Sequence, residues 1–316
     1  MQFRTVIPIE TSKSSIDYDA SIVSFGSCFA DNMGSKLDYF KFRNITNPFG
    51  IIFNPVSIEQ LILRIISRSY FTESDLFFHQ ELWHCFEVHS EFSSPNAVDL
   101  LDRLNSLLDT SYKNICQATH VFLAYGTSWV YREKNTQKLV ANCHKVPQNQ
   151  FDKEILSVLT LETSIQNTID LLHNINPNCT ILITVSPVRH SKDGFVENQR
   201  SKAHLITAIH SLLEKGNNQV HYFPSYEIVM DELRDYRFYA EDLLHPNSVA
   251  IDYIWYRFKE TQIAKDCYGT METVEGIQRG LAHRPFNPST ASHQKFIESL
   301  NQKIISLQEQ FPFMLF

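Results

Sequence analysis

The chain has 316 residues, of which 43% are hydrophobic, so it can bury a large core and is not a disordered polypeptide. Its 28 Lys and Arg residues against 35 Asp and Glu residues give a net charge of −7, and no long basic run offsets this charge. Since a phosphate backbone repels an acidic protein, we expect no nucleic-acid partner.

The beginning of the sequence and its cysteines bear on the compartment. The first ten residues lack the apolar stretch of a secretory signal, and no segment reaches the roughly 18 uninterrupted apolar residues of a membrane helix. The six cysteines lie far apart with no C-x-x-C pair, which suits neither a disulfide framework nor a zinc site. We expect a cytoplasmic protein with free thiols, no membrane partner, no metal and no other cofactor.

Short apolar runs alternate with helical patterns along most of the chain. The runs predict strands over residues 21–25, 120–125, 180–185 and 220–223, and the first three of these read as buried parallel strands. Apolar residues at three- and four-residue steps predict helices over 30–40, 58–67, 97–108, 161–174, 199–214, 227–233 and 249–259. This alternation predicts an α/β fold with a mainly parallel sheet covered by helices on both faces.

Two regions depart from the alternation. Residues 71–92 contain a strand-like run that predicts an extra strand or hairpin inserted beside the sheet. A Pro- and Asn-rich connector and an amphipathic helix over 293–310 predict a C-terminal extension. We divide the chain into a domain of residues 1–266 and an extension of residues 267–316. The helix of this extension either covers the domain's own apolar surface or forms a dimer contact.

The strand ends are where chemistry is expected, because open α/β sheets bind ligands outside the carboxyl ends of their strands. Ser27 follows the first strand, has Gly26 before it for a sharp turn, and opens a helix whose free N–H groups could face an oxyanion. A serine at this place is either a helix cap or a nucleophile.

Asp242 and His245 are three residues apart, so they lie on the same side of a helical turn or tight loop. A serine nucleophile needs a base and a group that orients the base, and these two residues supply both. The alternative is an N-capping aspartate beside a solvated histidine.

The string Gly26-Ser27-Cys28-Phe29-Ala30 closely resembles the signature of the GSCFA family, a branch of the SGNH (GDSL-like) hydrolase superfamily. Further blocks that look like the family's, in its order, are found at 47–51, 126–132, 141–145, 184–190 and 235–245. The resemblance covers about residues 1–260. It implies a three-layer α/β/α sandwich with a flavodoxin-like, SGNH-type sheet.

The resemblance also implies roles for individual residues. Ser27 would be the nucleophile, His245 the general base and then acid, and Asp242 the orienting carboxylate. The oxyanion hole would use the N–H groups of Ser27 and Gly50 and an asparagine side chain. The block expected to carry that asparagine reads Gly126-Thr127-Ser128-Trp129 and lacks it, so Asn47 and Asn142 are the candidates for the third donor.

Further residues of these blocks are candidates for binding substrate: His89, Gly126, Trp129, His144, Arg189 and His190. Arg189 could pair with a substrate carboxylate or with Asp193. Cys28 is interpreted as a core residue, because adjacent side chains diverge and cysteine is commonly buried. The five-residue steps from His79 to His84 and His89 do not bring three imidazoles to one metal without a bend.

These observations lead to a functional hypothesis. We expect a serine hydrolase of the esterase type that removes an acyl group, most plausibly acetyl, from a carbohydrate or small-molecule ester through an acyl-Ser27 intermediate. The carbohydrate preference comes mainly from superfamily members that act on acylated polysaccharides. The alternatives are an O-acyltransferase that uses the same site and a catalytically silent ligand-binding module.

Overall fold

The computed structural model describes residues 5–316, and its strands follow from the apolar runs of the sequence. In chain order the strands are β1 (Ser21–Gly26), β2 (Arg43–Thr46), β3 (Leu76–His79), β4 (Leu82–Cys85), β5 (His120–Tyr125), β6 (Trp129–Glu133), β7 (Leu139–Val140), β8 (Phe151–Ile155), β9 (Thr180–Val185) and β10 (Val220–Tyr222). Every residue of β5 and β9 is buried, as expected for strands covered on both faces.

The central sheet has five strands in the order β2-β1-β5-β9-β10, and all of its neighbouring strands pair in parallel. In its register Val23 lies beside Val121, and Val121 lies beside Ile181. This is the flavodoxin-like strand order. The predicted fold class, a mainly parallel sheet of flavodoxin-like type, is therefore confirmed.

Helices cover both faces of the sheet. They are α1 (Cys28–Tyr39), α2 (Pro55–Ile66), α3 (Ala97–Gln117), α4 (Val158–Ile175), α5 (Phe195–Leu213), the short α6 (Ser225–Glu227), α7 (Ser248–Gln262), α8 (Tyr268–Ala282) and α9 (Ala291–Gln310). A π-helical turn, Ile228–Glu232, continues α6. The predicted helices are all present, with ends that differ from the predicted ones by up to four residues, except that α3 continues nine residues beyond its predicted end at residue 108.

The alternation of side chains along the strands separates two cores. Val23, Val121 and Ile181 face one core, which is completed by α2, α3, α4 and α5. Ile22 and Phe122 face the other, which is completed by α1, α7, α8 and α9. The sheet is thus the middle layer of three.

Two small antiparallel sheets lie outside the central one. Strands β3 and β4 form a hairpin within the region where the sequence predicts an extra strand or hairpin. Strands β7, β6 and β8 form a three-stranded sheet that the sequence analysis missed. Phe77 of the hairpin stacks on Phe86 at 3.9 Å between ring centroids, and Phe86 packs on Phe151 of β8.

The C-terminal helices share the second core. Leu300 and Leu307 of α9 are buried in it together with Ile254 of α7 and Val274 of α8. Helix α8 was not predicted. All six cysteines are free thiols, as expected. No helix within residues 5–316 is both long enough and apolar enough to cross a membrane.

Candidate active site

Ser27 lies at the carboxyl end of β1 and is the N-cap of α1. Its hydroxyl oxygen accepts a hydrogen bond from Phe29 N at 3.3 Å, and its own N–H donates to the carbonyl of Ala124 at 2.9 Å. The residue is 2% exposed. Ser27 therefore does cap a helix, and it does so at the sheet edge where ligands bind in this fold.

The turn before Ser27 requires a glycine. A Cβ atom on Gly26 would lie 2.3 Å from the carbonyl oxygen of Ala124 on the neighbouring strand. This close approach of β1 to β5 places the serine directly at the sheet edge. A larger residue at position 26 would push the two strands apart.

Asp242 and His245 face each other across a tight loop. Nδ1 of His245 and Oδ2 of Asp242 are 2.6 Å apart, and Oδ1 of Asp242 accepts hydrogen bonds from the backbone N–H groups of Leu244 and His245. The hydrogen bonds to His245 and Leu244 lower the pKa of Asp242 to about 2. The loop closes with a bond from Ala240 N to the carbonyl of His245.

This loop is fixed to the end of β9 by Arg189. The Arg189 N–H donates to the carbonyl of Leu244 at 3.1 Å, and its guanidinium lies over the ring of Tyr239 at 5.6 Å. The alternative pairing of Arg189 with Asp193 is not found among residues 5–316, where Asp193 pairs with Lys153. Arg189 thus positions the loop of the Asp–His pair.

Helix α5 supports the strand ends with polar side chains on its buried face. Ser201 Oγ accepts a hydrogen bond from Ser128 N at 2.8 Å and contacts Thr127 Oγ1 at the same distance. Ser128 Oγ in turn donates to the carbonyl of Ser201. Gly126 N donates to the carbonyl of Phe53 at 2.7 Å. The turn after β5 is therefore held rigidly.

Lys202 of α5 lies under the same edge, fully buried. Its Nζ donates to the carbonyl oxygens of Gly126 at 2.6 Å and of Ser186 at 2.7 Å, which joins the ends of β5 and β9. Burial lowers the pKa of Lys202 to about 7, because the desolvated ammonium has only neutral carbonyl acceptors.

His190 follows β9 and interacts electrostatically with both Lys202 and His245. Burial, together with the charges of those two residues, lowers the pKa of His190 to about 3, so its imidazole is neutral. Its backbone N–H donates to Asn198 Oδ1 at 2.8 Å.

The turn after β2 forms the other side of the site and contains Asn47 and Gly50. Asn47 accepts a hydrogen bond from Gly26 N through Oδ1 and donates to Asp31 through Nδ2, at 2.8 and 2.6 Å. Gly50 N donates to the carbonyl of Asn47, and the backbone of Gly50 packs against His89. His89 is half-buried, and it interacts electrostatically with Asp31 of the first turn of α1.

The proposed oxyanion donors are thus mostly engaged in other bonds. The N–H groups of Ser27 and Gly50 donate to backbone carbonyls, and Asn47 is occupied on both sides of its amide. Asn142 accepts from His144 N through Oδ1, and its Nδ2 makes no hydrogen bond among residues 5–316. The oxyanion roles of these residues stay predictions.

His144 belongs to a separate aromatic cluster beneath the β3–β4 hairpin. Its Nε2 lies 2.7 Å from the carbonyl of Cys85, and its ring lies 4.8 Å from that of His84. Burial lowers the pKa of His144 to about 4. The hairpin turn also brings His79 and His84 within 6.3 Å, but no group of three or more His, Cys, Asp or Glu residues in the described chain could hold a metal ion.

Trp129 and Cys28 make no hydrogen bond or ring contact with Asp242 or His245 among residues 5–316. Trp129 donates from its indole nitrogen to the carbonyl of Glu197 at 3.4 Å and has Lys153 over its ring. Burial raises the pKa of the Cys28 thiol, which makes it a weak nucleophile at neutral pH. A substrate role for Trp129 stays a prediction.

The sequence analysis missed three residues of this edge: Phe53, Asn198 and Lys202. The signal for the last two was available, since 198, 201, 202, 205, 208, 209 and 212 form the buried face of α5. A lysine and an asparagine within an apolar stripe indicate polar groups that need buried partners.

The fold and this edge define an α/β/α protein with a serine and an Asp–His pair at the carboxyl ends of its parallel strands. The model of the GSCFA family matches residues 21–258, and the model of the C-terminal domain of GSCFA domain proteins matches residues 274–316. The chain belongs to the GSCFA family. No curated protein sequence matches it.

Solved structures give a weaker likeness. A family 3 carbohydrate esterase from Clostridium thermocellum is 12% identical with a TM-score of 0.36, and the match covers 84% of this chain and 99% of that one. A family two carbohydrate esterase from the same organism, in complex with cellohexaose, is 11% identical with a TM-score of 0.34 over 81% and 66% of the two chains. An acetyl xylan esterase from Butyrivibrio proteoclasticus is 10% identical with a TM-score of 0.36 over 84% and 65%. Values this low carry no argument about activity.

Proposed function

We propose that this protein is a serine hydrolase of the esterase type, with Ser27 as nucleophile, His245 as general base and Asp242 as the group that orients the base. The observation that carries the proposal is the 2.6 Å contact between His245 Nδ1 and Asp242 Oδ2 on a loop fixed to the end of β9. That contact directs the other ring nitrogen, Nε2, away from the carboxylate and leaves it able to take a proton.

The first half of the reaction forms an acyl-enzyme. Ser27 Oγ bonds to the ester carbonyl carbon, its proton passes to His245 Nε2, and the carbonyl electron pair moves onto oxygen. When that pair returns, the bond to the leaving oxygen breaks, and His245 gives its proton to the departing alcohol. Asp242 stays ionised throughout and stabilises the imidazolium.

The second half repeats these steps with water. His245 takes a proton from a water molecule that attacks the acyl carbon, and Ser27 leaves with the proton returned by His245. Water is favoured over another acceptor because the side chains of Asp242 and His245 are 44% and 47% exposed. Acyl transfer to an alcohol would need a site more closed to water.

The proposed substrates are acylated carbohydrates or small esters. Tyr236 is 65% exposed on the approach to the Asp–His loop, and its ring lies 6.1 Å from that of Tyr239. An exposed aromatic face is a surface on which a sugar ring can stack. A cytoplasmic location stays a prediction, and it favours a cytoplasmic sugar ester over an extracellular polysaccharide.

The test is labelling with a fluorophosphonate probe, which reacts with activated serines without a choice of substrate. We expect labelling of the wild-type protein at Ser27, located by mass spectrometry of the modified peptide, and none in Ser27→Ala or His245→Ala. Cys28→Ala is the matched control and should label normally, because the neighbouring thiol has no role in the reaction. A folded wild-type protein that is not labelled would favour a ligand-binding module instead.

The substrate class is tested separately. Tyr236→Ala should raise KM for an acetylated xylo-oligosaccharide and leave hydrolysis of p-nitrophenyl acetate unchanged, because the small ester has no sugar ring to stack. Equal effects on both esters would remove the argument for a carbohydrate.

A further inference from the structure

Two buried imidazole nitrogens near the site, Nδ1 of His89 and Nε2 of His190, have no hydrogen-bond partner among residues 5–316, and only that of His190 lies at the end of a central strand. Nε2 of His190 is buried and makes no hydrogen bond to any residue in the described part of the chain. Buried polar atoms are nearly always hydrogen-bonded, so an exception at a strand end calls for an explanation, and a bond to a bound substrate would supply one. The backbone of His190 is fixed, since its N–H donates to Asn198 Oδ1.

The His190 ring reaches from the end of β9 across the end of β5. Its Nε2 lies 3.2 Å from the place where a Cβ on Gly126 would be, and its ring centroid lies 5.7 Å from that of Phe53. The carbonyl of Phe53 accepts a hydrogen bond from Gly126 N, and the N–H of the preceding residue, Ile52, donates to the carbonyl of Gly26. The imidazole therefore lies over the turns that adjoin Ser27.

Gly126 makes this position possible. A side chain at residue 126 would contact both Phe53 Cβ, at 3.0 Å, and the His190 ring. Lys202 donates hydrogen bonds to the carbonyls of Gly126 and Ser186. These bonds fix the turns after β5 and β9, which lie next to the His190 ring.

The imidazole is also in the right protonation state to donate a hydrogen bond without competing as a base. Burial is the main cause that lowers the pKa of His190, and the nearby Lys202 and His245 act in the same direction, so the ring is neutral. A neutral imidazole with its hydrogen on Nε2 is a donor there and is not itself a proton acceptor at that nitrogen.

The other polar groups at this edge are less available. Ser128, which stands where the resemblance leads one to expect an asparagine, is fully buried and donates to the carbonyl of Ser201. Asn47 already bonds Gly26 and Asp31. A tetrahedral intermediate at Ser27 needs hydrogen-bond donors for its oxygen, and this edge has few that are free.

We propose that His190 is a catalytic residue, whose Nε2–H donates a hydrogen bond to the oxyanion formed when Ser27 attacks an ester carbonyl. The proposal rests on the proposed esterase function. No proton is transferred in this contact: the hydrogen stays on Nε2 while negative charge forms on the substrate oxygen, and the bond is released when the carbonyl re-forms.

The experiment compares His190→Leu and His190→Gln in hydrolysis of p-nitrophenyl acetate. Removal of one oxyanion donor typically lowers kcat by about 10²–10³, so we expect that loss in the leucine variant with KM nearly unchanged. The glutamine variant, whose amide can donate from a similar place, should recover part of the rate. Thermal unfolding of each variant shows whether it is folded.

The matched control is His120→Gln. His120 is a buried histidine at the opposite end of β5, and its two ring nitrogens contact Thr119 Oγ1 and the carbonyl of Ser14. Its substitution should leave kcat unchanged. A similar loss of kcat in this variant would mean that the effect at residue 190 is structural.

A second measurement does not depend on activity or on the folding of a variant. The ¹⁵N chemical shifts of His190 in the wild-type protein should show a neutral ring with hydrogen on Nε2 between pH 5 and pH 8. A hydrogen on Nδ1 instead would overturn the proposal.

The outcomes separate the two proposals. A wild-type protein that neither labels at Ser27 nor hydrolyses the ester overturns both. An active wild-type enzyme whose folded His190→Leu variant keeps kcat within threefold overturns only the role of His190.

Discussion

Asp242 holds the His245 imidazole through a 2.6 Å contact between Oδ2 and Nδ1, while Oδ1 of the same carboxylate binds the backbone of the loop. One side chain therefore fixes both the loop and the ring that it carries. The loop itself contains Leu243 at a φ of +57°, a conformation that leucine rarely adopts. This relationship leads to the first prediction.

Asp242→Asn should lower kcat by about 10³–10⁴, because an amide that donates to Nδ1 selects the wrong tautomer of the base. Asp235→Asn is the matched control, since Asp235 caps a nearby turn through Arg237 N and should leave kcat unchanged. The measurement is steady-state hydrolysis of p-nitrophenyl acetate. An Asp242→Asn variant with wild-type kcat would exclude a catalytic triad of Ser27, His245 and Asp242.

The pH dependence of kcat/KM follows from the same pair. Since the pKa of Asp242 is lowered to about 2, its carboxylate is ionised across the whole working range. Protonation of Asp242 should therefore contribute no step to the acid limb. A step between pH 3 and pH 5 that disappears in Asp242→Asn would contradict this assignment.

Lys202→Met tests the buried lysine through protein stability. Burial lowers the pKa of Lys202 from 10.5 to about 7 in the folded protein. Between these values the unfolded chain binds the proton and the folded chain does not, so this group makes the protein more stable as the pH rises from 7 towards 10.5. Below pH 7 its contribution is constant.

The measured quantity is the difference in free energy of unfolding between wild type and Lys202→Met, from urea denaturation at several pH values. Above pH 7 the free energy of unfolding of the wild type should increase relative to that of Lys202→Met by up to about 1.4 kcal/mol per pH unit. Lys215→Met, an exposed lysine just after α5, should show a flat difference. A flat line for Lys202→Met would mean that the lysine is not desolvated.

Arg257→Met tests the buried ion pair of Arg257 with Glu232, whose side chains are 7% and 0% exposed. Arg257 also donates to the carbonyl of Ile7, and Glu232 accepts from Ile7 N. The substitution leaves a buried, uncompensated carboxylate and should lower the free energy of unfolding by about 3–5 kcal/mol.

The control for this pair is the double variant Arg257→Met with Glu232→Gln. It removes the stranded charge and keeps an acceptor for Ile7 N, so it should be more stable than the single variant. If the double variant is the less stable of the two, the pair does not act through charge burial.

Leu300→Ala tests how α9 is attached. Leu300 is 5% exposed, and a Cβ on Gly280 of α8 would lie 2.7 Å from its Cδ1, so the two helices pack closely. The substitution should lower the free energy of unfolding by about 2–5 kcal/mol. Ile305→Ala, on the same helix but 56% exposed, should change it by less than about 0.5 kcal/mol. Equal effects would show that α9 is stabilised by a partner surface rather than by the core.

The parallel sheet could be predicted because β5 and β9 are uninterrupted apolar runs with turn residues after them. The missed elements lack such runs. Helix α8 has three glycines, Gly269, Gly276 and Gly280, each of which lowers helix propensity. The prediction ended α3 too early because Ser111, a polar residue, occupies a buried position of its apolar face and interrupts the apolar pattern.

The candidate site could be predicted only in part. Ser27, Asp242 and His245 stand in recognisable local patterns, since each depends on neighbours within a few residues. Lys202 and His190 do not, because their positions depend on how α5 and the end of β9 pack against the turn after β5. Pairing between elements far apart in the chain cannot be read from spacing alone.

The hydroxyl oxygen of Ser27 that would attack an ester already accepts the hydrogen bond that begins α1. An acylated oxygen is a poorer acceptor, so acylation would weaken the first turn of the helix by a part of the roughly 1 kcal/mol that an N-cap contributes. Hydrolysis returns a free hydroxyl and with it the full cap. If Ser27 is the nucleophile, the local stability of α1 would therefore work against accumulation of the acyl-enzyme and in favour of its turnover.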